Sequence, residues 1–227
     1  VEWNQDLIDR LDLAFNESQV CGLQFDQARA EARLFVEVLA LPAVGPIDPD
    51  PRRVVVFSDV SVVEVVLRRD DVSGLGPVLP LASLDAVESF FASLGQADAM
   101  YGWSFVDVED PSENWNVSPS LILQGPTRDT PVHTMRWFTE CGRPGSGDVW
   151  ERYFLQGVIR FNDLRVERAD GRPVSIEEFT ADGRRWWDAF ERHDARLSSE
   201  AQKQASASAA AWRRWGGTFV MVPGKPT

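Results

Sequence analysis

The chain has 227 residues, 44% hydrophobic and 26% charged, enough to bury a core without cross-links in one large domain or two small ones. Its net charge of −12 is uneven: residues 1–150 hold 24 acids and 10 bases, residues 151–227 hold 11 and 13. Such an acidic surface repels phosphate backbones, and no apolar run approaches the ~18 residues of a membrane span, so neither nucleic acid nor a membrane is an expected partner.

In chain order, residues 3–15 place Leu7, Ile8, Leu11 and Phe15 on one helical stripe. Gln19 to Asp26 and Arg33 to Leu41 read as two strands of a hairpin, and the proline-rich Gly45–Pro51 as a stiff loop. Arg52 to Arg69 is a valine-rich run more than twice the usual strand length, so it must bend, and Ser58-Asp59 is the polar pair at which it can. Ser83 caps a helix to Leu94. Strands follow at Gly102–Val108, Ser120–Gln124 and Val132–Glu140, with Cys141–Asp148 read as a loop. Val149 to Phe161 is a second long extended run, ended by Asn162-Asp163 and continued to Arg168. The S-x-x-E pattern at Ser175–Glu178 opens a helix to His193. A last helix is expected over 198–215 and a short strand over 218–222.

Two hexamers resemble each other: FSDVSV at Phe57–Val62 and FNDLRV at Phe161–Val166. Each sits where an overlong β run needs a corner. Asp favours such places because its carboxylate bonds nearby backbone donors. Asp59 and Asp163 are therefore read as backbone-bonding acids and not as a catalytic pair. The same similarity allows two related βββ-α halves, 19–94 and 132–193.

Patterns that carry chemistry are absent. The two histidines, His133 and His193, form no local dyad with Cys21 or Cys141. The acids Asp107, Glu109, Asp110 and Glu113 lack the glycine and spacing of a calcium loop, and no zinc pattern occurs, so no metal, cofactor or catalytic residue is expected. Neither glycine-rich stretch, Gly74–Pro77 or Gly142–Asp148, leads into a helix as a phosphate loop does. The two cysteines stand far apart and outside any CxxC, which suits a reducing compartment, and the start at Val1 lacks a basic-then-apolar pattern; the expected location is cytoplasmic.

Nine tryptophans are the compositional signal. Trp and Arg are the usual anchors of protein interfaces, which makes Arg184, Trp187, Trp212 and Trp215 the candidate partner site. Trp103, Asp107, Glu109 and Trp115 are the candidate lining of a ligand pocket. The expected fold is α+β, a curved and mainly antiparallel sheet of about eight strands covered by three or four helices, in a single domain over 1–227. The expected function is non-catalytic protein binding by an inhibitor, immunity-type or adaptor module. The alternatives are an enzyme or small-molecule binder with a Trp/carboxylate pocket, and a structural subunit of a larger assembly.

Overall fold

Helix α1 (Gln5–Phe15) opens the chain, its first turn closed by the Asn4 side chain, which accepts from the Leu7 N–H. The hairpin β1 (Gln19–Asp26) and β2 (Glu31–Glu37) follows, then β3 (Arg52–Ser58) and β4 (Val62–Asp71). Next come β5 (Gly74–Leu79), α2 (Leu84–Ser93), β6 (Gln96–Ala97) and β7 (Leu121–Gln124). A long hairpin of β8 (His133–Pro144) and β9 (Trp150–Phe161) leads to β10 (Asp163–Arg168), β11 (Pro173–Val174) and α3 (Ile176–Glu191). Ser83 and Ser175 cap α2 and α3 by accepting the N–H groups of Ala86 and Glu178. The computed structural model describes residues 2–71, 74–109, 117–126, 132–145 and 150–198, so the helix and strand expected beyond Ser198 lie outside the described residues.

The fold is α+β and its strand pairs are antiparallel, but the strands divide between two sheets where the sequence suggested one. One sheet has five strands in the order β1-β2-β3-β10-β11; the other has six, β5-β4-β9-β8-β6 with β7 also on β4. The division happens at the two hexamers. Ser58 and Phe57 of β3 pair with Asp163 and Leu164 of β10 in the first sheet, while Val62 and Val63 of β4 pair with Arg160 and Ile159 of β9 in the second. The two hexamers thus lie side by side in opposite directions, and both chains change sheet at one bend.

The bend has identifiable parts. Asp59 adopts a left-handed φ of 52°, a conformation that Asp tolerates better than most side chains. Asp163 Oδ1 accepts the Leu164 N–H at 2.9 Å. Between them Asn162 donates its N–H to the Ser58 carbonyl at 3.1 Å, and its Oδ1 accepts the Val132 N–H at 3.1 Å. The rings of Phe57 and Phe161 meet edge-on at 4.8 Å.

Two local expectations are corrected, and one further strand appears. Gly102–Val108 is not a strand; Val106 alone bridges to Met135, because the backbone donors of Phe105 and Val106 go to the Asp12 carboxylate. Cys141–Pro144 is not a loop; it extends β8, held by pairing with Trp150–Tyr153. Gly74–Leu79 is a strand at the end of its sheet, where Pro77 costs no ladder bond that the sheet needs.

One continuous core collects inward residues of both sheets, such as Val55, Val65 and Leu155, with Leu11, Val87 and Phe179 from the three helices. Trp137 is its largest fully buried side chain and lies over Gly157 on the neighbouring strand. Gly183, an unfavourable residue inside a helix, has a packing reason. A methyl there would sit 2.9 Å from the Ala14 Cα, so the glycine lets α3 cross α1 at backbone contact. Among the described residues no helix is long and apolar enough to cross a membrane.

Candidate functional site

Segment 96–107 runs along the outer edge of β8 but pairs with it only at its two ends. Gln96 and Ala97 pair with Gly142 and Cys141, and the Asp98 N–H reaches the Glu140 carbonyl at 2.7 Å. Backbone pairing resumes where the Arg136 N–H donates to the Phe105 carbonyl at 2.7 Å and the Asp107 N–H to the Thr134 carbonyl at 2.9 Å. Between those points the contacts run through side chains: the Phe138 N–H reaches Met100 Sδ at 3.4 Å, and the Tyr101 ring meets Phe138 edge-on at 6.4 Å.

The end of α1 fixes this excursion. Asp12 Oδ1 accepts the N–H groups of both Phe105 and Val106 at 2.9 Å, and Asn16 Oδ1 accepts that of Gly102 at 3.1 Å. Burial raises the pKa of Asp12, a rise opposed by its two backbone hydrogen bonds. Two side chains on a loop so held project outward: Tyr101 is 57% exposed and Trp103 74%. The Tyr101 hydroxyl lies 3.5 Å from a Glu140 oxygen, and the charges of Glu140, Asp98 and Glu17 push its pKa up. An exposed aromatic pair beside three acids suits a partner that carries Arg or Lys.

Just past this loop lies a second arrangement. Asp107, at a left-handed φ of 50°, accepts the Thr134 N–H on Oδ1 at 2.8 Å and faces His133 Nδ1 with Oδ2 at 2.7 Å. An ionised carboxylate can only accept, so Nδ1 carries the proton and, in the neutral ring, Nε2 is the basic nitrogen. Trp3 stacks on the imidazole at 3.8 Å, and Phe161 lies tilted at 5.8 Å. Nε2 has no hydrogen-bond partner among the described residues.

Of the pocket candidates named from sequence, Asp107 alone enters this pair, and its partner is a histidine that the sequence joined to no other residue. Glu109 is exposed, Trp103 belongs to the outward loop, and Trp115 lies outside the described residues. On α3, Arg184 is exposed, and half-buried Trp187 lies edge-on to Trp186 and Phe190, which stack on each other at 5.4 Å. Trp212 and Trp215 lie outside the described residues. Tyr101 and the anchors Asp12 and Asn16 had no signal in the sequence, since Asp12 reads there as one more acid on a helix. Of the two free cysteines, Cys141 is buried; burial first, then the charges of Asp98 and Glu140, push its thiol up to about 12, so it is not a nucleophile at neutral pH.

A separate cleft of about 330 Å³ has charged walls that pair internally, Arg29 with Asp26 and Arg33 with Glu31. Among the described residues no cluster of three His, Cys, Asp or Glu side chains could hold a metal ion. Comparison with family models finds no match to this chain, and comparisons with curated proteins and with solved structures find none either.

Proposed function

We propose that the chain is a protein-binding module of the inhibitor, immunity or adaptor kind, and that it docks a basic partner segment on the loop bearing Tyr101 and Trp103. The observation that carries this reading is an exposed Trp on a loop already held in place by Asp12 and Asn16. Such a loop has little conformational freedom left to lose on binding, and a Trp that becomes covered is the commonest kind of hot spot. The acids Glu17, Asp98 and Glu140 around it select for positive charge.

Fluorescence anisotropy with labelled Arg-rich and Glu-rich peptides tests the reading. The Arg-rich peptide binds saturably and more weakly as salt rises, whereas the Glu-rich peptide does not bind. Trp103→Ala weakens binding by roughly thirtyfold, a hot-spot loss of about 2 kcal/mol, with an unchanged circular dichroism spectrum. Equal affinity in Trp103→Ala would remove the loop from the function.

A second reading, an acid–base site, is favoured by the Asp107–His133 pair with its basic Nε2. Its geometry predicts that ¹⁵N NMR finds neutral His133 protonated on Nδ1, and that Asp107→Asn shifts the proton toward Nε2. A proton on Nε2 in the unaltered protein would leave no base there.

A further inference from the structure

The face of the six-stranded sheet turned away from Met135 and Trp137 presents an arrangement that the partner loop does not use. On β8 and β9, Arg136 stands opposite Val158, Thr134 opposite Arg160, and Phe138 opposite Gln156. Arg160 and Gln156 are therefore the two diagonal neighbours of Arg136 on this face, with Val158 between them. Diagonal cross-strand positions are ~7–8 Å apart, within reach of two long side chains.

Two facts distinguish this triangle from an ordinary surface. First, in a chain with 35 acidic residues, neither Arg136 nor Arg160 has an ion pair among the described residues. The nearby acid Glu64, opposite Val158 on β4, pairs with neither. Each guanidinium is also pressed against the protein, so that its Nε is buried without an acceptor. Second, Gln156 is 3% exposed, and its side-chain amide has no hydrogen bond among the described residues. Buried polar atoms without partners are unfavourable, and an anion reached from these diagonal positions would give both guanidiniums and the amide a common acceptor.

We propose that Arg136, Arg160 and Gln156 form a binding site for a phosphate group. Two planar forks can each offer a pair of N–H donors from their terminal nitrogens to a tetrahedral oxyanion lying between them, and the Gln156 amide supplies one more. Phe138, over which the Arg136 guanidinium lies at 5.9 Å, holds one fork in place from its side.

Isothermal titration at fixed ionic strength, with inorganic phosphate and with phenyl phosphate as probes, tests the site. Saturable binding with a Kd of about 1 mM or tighter is expected for at least one probe. Binding of both probes identifies the group on a larger molecule as the ligand; binding of inorganic phosphate alone identifies the free ion. Arg136→Gln and Arg160→Gln each weaken binding at least about tenfold. Arg136→Lys and Arg160→Lys keep the charge but lose the fork, and they weaken it too, which preserves the test if a Gln variant does not fold. Arg29→Gln, in the cleft where Arg29 pairs with Asp26, leaves binding unchanged. Absence of saturable binding to the intact protein overturns the proposal, as does weakening in the Lys variants no greater than in Arg29→Gln.

Discussion

Replacing Asp48 with Asn is expected to destabilise the protein by about 3 kcal/mol and to lower its melting temperature by about 6–12 °C. Asp48 lies in the loop between β2 and β3, where one carboxylate oxygen meets Arg53 at 2.8 Å and Arg168 at 2.7 Å. Arg53 is 2% exposed and on the inward face of β3, so its charge cannot turn to water when its partner is removed. It would keep only the carbonyls of Asp50 and Arg52, each at 2.8 Å. Arg168 would lose its contact from β10, which unties the loop from the far side of the sheet.

The pH dependence follows from the same contacts. Burial alone would raise the pKa of Asp48, but hydrogen bonds from the Asp50 backbone, Arg53 and Arg168 outweigh it, and the net shift is downward from 3.8. A carboxyl with a depressed folded-state pKa stabilises the fold fully above its ordinary value. That contribution is lost as pH falls from there through the lower, folded-state value. Urea titrations at a series of acidic pH values should show this loss in the unaltered protein and less of it in Asp48→Asn. An Asn variant within 0.5 kcal/mol of the parent, roughly the scatter of a neutral surface change, would show that Arg53 is held by the carbonyls alone.

Gly157→Ala is expected to cost roughly 3 kcal/mol, at the upper end for overpacking by a single methyl. A Cβ built at Gly157 lies 2.5 Å from Cζ2 of Trp137 on one neighbouring strand and 2.6 Å from the Glu64 carbonyl oxygen on the other. A flexible neighbour could give way, but a fully buried indole and a ladder carbonyl cannot. Combining Gly157→Ala with Trp137→Leu should not restore the stability of Trp137→Leu alone, since the carbonyl remains in the way. If the double variant proves as stable as Trp137→Leu, the carbonyl clash is relieved by a small strand shift and the glycine is required only by the indole. Chemical denaturation of the three variants decides between these outcomes.

What the sequence disclosed was governed by local physics. The bend near Ser58-Asp59 and the one at Asn162-Asp163 were legible because extended runs of that length, the first of them valine-rich, exceed an ordinary strand. The caps Ser83 and Ser175 were legible because capping is settled within four residues. The division into two sheets was not, since it depends on Phe57 meeting Leu164 and Val63 meeting Ile159, pairings that nothing nearby in sequence specifies. Segment 102–108 has the composition of a strand, and only the distant carboxylate of Asp12 takes its donors away. Cys141–Pro144 has the composition of a loop, and only the long register with β9 keeps it extended. The same holds for function. Asp107 and His133 were each visible, but their contact spans 26 positions and needs a left-handed turn at Asp107. Trp103 was visible as a Trp, and its outward position follows from how α1 docks.

The shared bend also constrains how the chain can be made. Synthesis proceeds from the N-terminus, so β3 and β4 leave the ribosome well before β9 and β10, which complete one edge of each. Until then two valine-rich strands present open edges, the condition under which nascent chains associate wrongly. The charges that punctuate this run, Arg52 and Arg53 before it, Asp59 and Glu64 within it, Arg68 and Arg69 near its end, stand where gatekeeper residues discourage premature pairing. Arg53 later becomes a buried partner of Asp48, so one residue would protect the unfinished chain and then stabilise the finished one.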